Sequence, residues 1–192
     1  MRDSTNAFDI PTMGTQIAAG YSNGTFAWPK ASFNRFPDIP HVHIDVNGAD
    51  PVGSDVLDVE TGDATVNVAV AWTLAKHHLT PGAYPPIIYC NRSTLTPLFN
   101  AMNAANLKVV KDFRLWVATL DGTKTLGDMT GVTAIQYAGE AQTHGHYDES
   151  IVYDRNWFSE IVPPKKKAIR AILIRGLTAK VLTSTDGGVT WR

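Results

Sequence analysis

The run Val56-Leu57-Asp58-Val59-Glu60-Thr61-Gly62 places two carboxylates at the carboxyl end of an apolar strand and follows them at once with glycine. Residues two apart on a strand face the same side, so Asp58 and Glu60 share one face, about 7 Å apart. Burying acids is costly, and a pair in this position calls for a purpose. One purpose is acid chemistry on a glycosidic bond, which sets a proton-donating carboxyl beside a second acid. The other is structural: Glu60 and Asp63 can open the following helix, where negative charge is favoured. The spacing alone leaves both readings open. In the chemical one, Glu60 is the general acid and must hold its proton near neutral pH. A neighbouring negative charge at Asp58 or Asp148 would raise its pKa in that way. Asp58 would then orient a substrate N-acetyl group or stabilise positive charge on the sugar.

Other chemistries find less support. His41 and His43 share a strand face, and His144 and His146 flank Gly145. No nearby third ligand with zinc-like spacing completes either pair, so no metal and no cofactor is expected. Cys90 ends an apolar run and reads as a small core residue. The chain has neither a G-x-S-x-G elbow nor a phosphate-cradling glycine loop.

Strand-like runs that could carry these carboxylates fall at residues 7–10, 17–21, 42–46, 54–60, 86–89, 113–118, 132–137 and 151–153. Three helices are predicted. Residues 28–36 have proline near the first turn. Residues 66–79 follow possible caps at Asp63 or Thr65 and stop at Thr80-Pro81-Gly82. Residues 95–107 carry Leu95, Leu98, Phe99 and Met102 at i, i+3, i+4, i+7, with Pro97 close enough to the start to be tolerated. Strands alternating with helices in the second half predict parallel βα units. Eight strands with few helices predict a degenerate, TIM-like β/α barrel, whose chemistry belongs at the carboxyl ends of the strands. Glu60 lies at one such end.

The 192 residues fit one ordinary domain with a small appendage, and 44% hydrophobic with 18% charged residues is a globular composition. A net charge of −1 gives no electrostatic case for nucleic acid or an anionic membrane. No apolar run reaches membrane-span length, and one cysteine excludes an internal disulfide framework. Met1-Arg2-Asp3-Ser4-Thr5-Asn6 lacks the hydrophobic stretch of a signal peptide, so synthesis in a cytoplasm without general secretory export is expected. The barrel is assigned to residues 1–162. Pro163-Pro164-Lys165-Lys166-Lys167 reads as a linker, and the rest of 163–192 as a β-hairpin tail. Its end, Ser184-Thr185-Asp186-Gly187-Gly188-Val189-Thr190-Trp191, resembles an Asp-box, a turn motif of sialidase-like and other β proteins. So short a tail cannot bury a core alone and is expected to dock on the barrel, on another copy or on a partner chain.

Several short motifs occur in an order that resembles the N-acetylmuramidase-type lysozymes of glycoside hydrolase family 25. Leu57-Asp58-Val59-Glu60 is similar to that family's D-x-E strand, and Pro86-Ile87-Ile88-Tyr89-Cys90 to its next strand. Leu115-Trp116-Val117-Ala118 resembles its L-W-x-A strand. Ile135-Gln136-Tyr137 resembles its W-Q-Y strand with isoleucine replacing tryptophan. Tyr147-Asp148-Glu149-Ser150-Ile151-Val152 resembles the closing segment. Phe8-Asp9-Ile10 is the nearest match to the opening strand, which bears a further aspartate in the family. The resemblance spans roughly residues 7–160 and is looser in the first half, where little room is left for early helices and loops. Compact relatives of this kind resemble those encoded by bacteriophages of actinobacteria.

The resemblance implies a phage lysozyme-like protein acting on peptidoglycan glycan chains, with Glu60, Asp58, Asp148 and Asp9 as the catalytic set. Asp148 has an alternative reading as a turn residue, and Asp154 is a weaker rival for its role. Tyr89, Trp116 and Tyr137 could line a sugar groove or fill the barrel, and Gln136 could bond substrate or backbone. The alternative function is a virion structural or receptor-binding module with weak or lost catalysis, joined through residues 163–192 to other virion proteins or to copies of itself. Either product would be virion-associated or released to the cell wall. Fold alone does not decide between the two.

Overall fold

A computed structural model describes residues 1–154, and the linker and hairpin tail expected in 163–192 lie outside them. Eight strands close into a barrel: β1 (Arg2–Asp3), β2 (Ala18–Tyr21), β3 (His41–Asp45), β4 (Val56–Asp58), β5 (Ile87–Asn91), β6 (Arg114–Ala118), β7 (Val132–Ala138) and β8 (Asp148–Val152). They follow one another around the barrel in chain order. The first seven are parallel, whereas β8 runs antiparallel to both β7 and β1. The described residues contain four α-helices: α1 (Lys30–Phe33), α2 (Val66–Leu79), α3 (Leu95–Ala104) and α4 (Glu140–Thr143). This is the expected degenerate α/β barrel.

Strand alternation sorts the apolar residues into layers. Val42, Ile44, Val56, Ile87, Tyr89, Trp116 and Ala134 fill the interior. Their strand neighbours Leu57, Ile88, Cys90, Leu115 and Val117 face outward against Trp72 of α2 and Leu98 and Met102 of α3. Because these strands are covered on both faces, they read in the sequence as continuous apolar runs. The α2 boundaries match expectation: the Thr65 side chain accepts from Val68 N at the start. At the end, Thr80 turns back, its Oγ1 donating to Lys76 O at 2.7 Å.

Two expectations need correction. Residues 7–10 are not a strand; they form turns, and the opening strand is Arg2–Asp3. Ala7 and Ile10 are buried because they pack with Trp28, Phe33 and Phe36 in a small outer core over β2, not because they pair in the sheet. The helix expected over 28–36 is also shorter. Pro29 caps α1, and i→i+3 bonds such as Phe36 N to Phe33 O, 3.0 Å, replace further α-turns. Trp28 seats directly on β2 at Gly20, where any Cβ would come within 2.3 Å of the indole. The Trp28 Nε1 donates to Ser4 O at 3.0 Å, and Ser4 Oγ donates to His146 O at 2.7 Å. These bonds anchor the chain just beyond Asp3.

Candidate active site

The topology brings acids from distant parts of the chain to one end of the barrel. β1 and β4 finish in Asp3 and Asp58, while the antiparallel β8 starts with Asp148. All three therefore lie at the carboxyl end of the parallel strands. Asp3 and Asp148 are direct cross-strand partners. Glu60 joins them because the ladder continues past Asp58, with Val59 N donating to Tyr89 O at 2.9 Å. The chain then turns, Asp63 N donating to Glu60 O at 3.1 Å. Gly62 takes φ 102° in this turn, a conformation that suits glycine.

Burial dominates the electrostatics of the cluster. Asp58 is pushed up to about 8, first by desolvation and then by the negative charges of Glu60, Asp63 and Asp3. Burial, followed by Asp148, lifts Asp3 well above the usual carboxylate range, with the amino terminus opposing. Asp148 is raised to about 6 by burial and Glu140, against the favourable contact from Gln136. Glu60 is raised by burial and Asp63; the Asn91 amide opposes this and Asp148 adds to it. Of the two expected sources of repulsion, Asp148 contributes only after desolvation and Asp63, and Asp58 figures instead as a group that Glu60 raises. Asp63 lies at the surface and is itself raised by partial burial.

Hydrogen bonding shows what this end of the barrel lacks. Gln136 Nε2 donates to Asp148 Oδ2. Gln136 Oε1, Asp3 Oδ1 and Asp58 Oδ1 are buried with no hydrogen-bond partner in the described chain. Leaving such acceptors dry is expensive, so this end is built to receive donors. The half-buried Tyr21 and buried Tyr89 border the cluster, and burial together with the nearby acids raises both phenols.

The expected residues divide accordingly. Asp58, Glu60, Asp148, Gln136 and Tyr89 come together. Asp9 sits in a turn, and Asp3 takes the place on the opening strand expected of it. Trp116 is 1% exposed, its Nε1 donating to Ser150 Oγ at 3.0 Å, so it fills the barrel rather than lining a groove. Tyr137 projects from the opposite face of β7 to Gln136 and donates to Glu149 Oε2 at 2.9 Å. Asp154 belongs to the other end of the barrel, paired with Arg114 at 2.8 Å and accepting from Tyr84 Oη at 2.6 Å. Sequence reasoning missed Asp3, Asp63 as an electrostatic neighbour, Tyr21 and Asn91. Only Asn91 carried a local signal, as a polar residue closing an apolar strand.

Of the histidine pairs, His41 and His43 both pack against Phe33, with ring centroids 5.2 and 4.5 Å away, while His146 Nδ1 lies 3.6 Å from Glu140 Oε2 in the turn that leads to Asp148. Among the described residues no group of three or more His, Cys, Asp or Glu side chains is arranged to hold a metal ion. Cys90 is buried, and desolvation pushes its thiol up to about 12, as suits a core residue. No described helix is long and apolar enough to cross a membrane.

Fold and site together define a closed α/β barrel with a desolvated carboxyl cluster at the carboxyl end of its strands, the end where such barrels carry chemistry. Comparisons with family models, with curated proteins and with solved structures return no match to this chain.

Proposed function

We propose that this barrel hydrolyses a glycosidic bond in bacterial peptidoglycan, with Glu60 as general acid. One observation carries the reading: four carboxyls with raised proton affinity share one barrel end with three unpartnered buried acceptors. Such a site suits a neutral ligand rich in hydroxyl and amide donors, and it repels anions. A glycan with N-acetyl groups has that chemistry.

The raised values also divide the labour. Asp58, near 8, is protonated at neutral pH and offers one donor and one acceptor, complementary to an acetamido group. Asp148, near 6, is largely ionised at neutral pH and can stabilise positive charge at the anomeric centre. Half-buried Glu60 can reach substrate. Its proton passes to the leaving oxygen as the glycosidic C–O bond breaks; water supplies the new hydroxyl and restores the proton. The motifs Leu57-Asp58-Val59-Glu60 and Ile135-Gln136-Tyr137 support the same reading through their resemblance to glycoside hydrolase family 25, as does Asp3 on the opening strand.

A phage origin and a place in or released from a virion belong to the same proposal, resting on that resemblance. A binding role without turnover is favoured by one feature, the near-complete burial of Asp3 and Asp58. Zymography on actinobacterial cell walls separates the two. The hydrolase reading expects clearing by the wild type and none by Glu60→Gln, with no loss of thermal stability in the variant. Wall binding without clearing by the wild type would establish the second reading.

A further inference from the structure

The residue beside Glu60 on the neighbouring strand is Asn91. Asp58 pairs with Tyr89 in the β4–β5 register, and the Val59–Tyr89 bond carries that register onward. Two residues further along each strand, Glu60 and Asn91 stand side by side on the inner face.

Asn91 is held by its oxygen. Its Oδ1 accepts from Thr94 N at 3.1 Å, Thr94 Oγ1 at 3.0 Å and Ser93 Oγ at 2.6 Å. A backbone N–H can only donate, so the atom it meets is the carbonyl oxygen, and the amide orientation is settled. The three bonds cap the 3₁₀ turn Arg92–Thr94 that leads into α3. They leave the NH₂ end free to act on Glu60.

We propose that Asn91 is the positioning residue of Glu60, its oxygen committed to the helix entry and its amide N–H group presented to the Glu60 carboxyl. The proposal rests on the hydrolase reading for its catalytic meaning but not for its geometry. The titratable groups that act on Glu60 or feel its charge are Asp58 on β4, Asp63 in the turn, Asp3 on β1, Asp148 on β8, and Tyr89 and Cys90 on β5. Each is neutral or negative. The nearby Arg92 guanidinium is engaged by Asp121 at 3.0 Å. A neutral donor in this setting favours the ionised carboxylate, which offsets part of the burial and repulsion. It lets Glu60 lose and regain its proton within one catalytic cycle.

Two substitutions separate positioning from capping, because Asp and Ser are both good N-caps. Asn91→Asp keeps an oxygen for Ser93 and Thr94 but replaces the donor with a negative charge. Asn91→Ser keeps a cap and removes the amide N–H group, the shorter hydroxyl staying at the turn. The readout is the titration of the Glu60 side-chain carboxyl by ¹³C NMR, assigned with Glu60→Gln, together with the pH profile of peptidoglycan turnover. The proposal expects the Glu60 midpoint to move up in both variants, more in Asn91→Asp, with the alkaline limb of kcat moving alongside and KM little changed. An unchanged Glu60 midpoint in folded Asn91→Ser would overturn it and leave Asn91 a cap only, since the added charge of Asn91→Asp raises the midpoint by repulsion in either case. If the wild type shows no turnover, the hydrolase reading fails, and the NMR titration still decides the role of Asn91.

Discussion

Asp45 and Asp58 end adjacent strands at the same end of the barrel, and both are buried, at 0% and 4% exposure. Their surroundings are opposite. Asp45 faces outward and accepts five bonds: Oδ1 from Asn23 Nδ2 at 2.8 Å, Asn47 N at 3.0 Å and Gly48 N at 2.7 Å, and Oδ2 from Asp50 N at 2.8 Å and Trp72 Nε1 at 3.1 Å. Desolvation pushes its pKa up, but these donors outweigh it and hold the carboxyl below its usual value. Asp58 faces inward among other acids, has an unpartnered Oδ1, and is pushed up to about 8. Burial therefore does not mark a functional acid. What distinguishes the two is whether the fold supplies donors: Asp45 receives five on the outer face, whereas Asp58 Oδ1 receives none on the inner face. Asp45 organises the β3–β4 loop, and Asp58 is kept for something the chain itself does not provide.

Breaking the satisfied member should have the largest effect on stability. Asp45→Ala strands buried donors and is expected to cost about 3 kcal/mol, a fall of roughly 6–12 °C in melting temperature for a chain of this length. Because the folded pKa of Asp45 is lowered, its contribution is present above the unfolded carboxyl value of about 4 and is lost as pH falls through the folded value. Thermal melts from pH 7 down to pH 3 should show that acid-side loss in the wild type and a smaller one in Asp45→Ala.

Asp58 carries the opposite sign. Between about pH 4, where the unfolded carboxyl ionises, and about pH 8, where the folded one does, the unfolded state holds fewer protons. Stability therefore falls as pH rises through this window. Asp58→Asn removes that share, and at pH 7.5 it should raise the melting temperature by roughly 4–8 °C while reducing the slope. A variant that is destabilised at pH 7.5 would show that Asp58 is satisfied in the folded chain and would erase the contrast with Asp45.

The smallest effect sharpens the comparison from the Asp45 side. Trp72→Phe deletes one donor of five and should let Asp45 titrate slightly higher, read by NMR, while the buried ring volume it also removes lowers stability independently of the carboxyl.

Much of this contrast was legible in the sequence as position but not as environment. The strands carrying Asp58, Tyr89, Trp116 and Gln136 are covered on both faces, so their apolar runs stand out. Helix α2 is bounded by a threonine cap and a Thr-Pro-Gly stop. The opening strand was not legible: Arg2–Asp3 is two residues long, shows no alternation, and exists through pairing with Ala18, Ala19, Asp148 and Glu149. The apolar residues Ala7 and Ile10 imitate a strand because they pack under Trp28 and Phe33. That substitution moved the expected aspartate from position 3 to position 9. Closure of the barrel across a sequence separation of 145 brings Asp3 opposite Asp148, and no local pattern encodes such a contact. Tyr137 beside Gln136 shows a further limit, since adjacent strand residues face opposite ways and only the structure tells which of them enters the site.

The central claim is that the donor-poor cluster is an acid site acting on glycans, with Glu60 delivering the proton. Its most direct test is the release of reducing ends from purified peptidoglycan between pH 4 and pH 9, by the wild type and by Glu60→Gln in parallel. The account predicts steady release by the wild type and loss of release in Glu60→Gln at every pH, with the variant melting no lower than the wild type. Equal release by both proteins would remove Glu60 as the acid, and no release by the wild type at any pH would contradict the hydrolase reading itself.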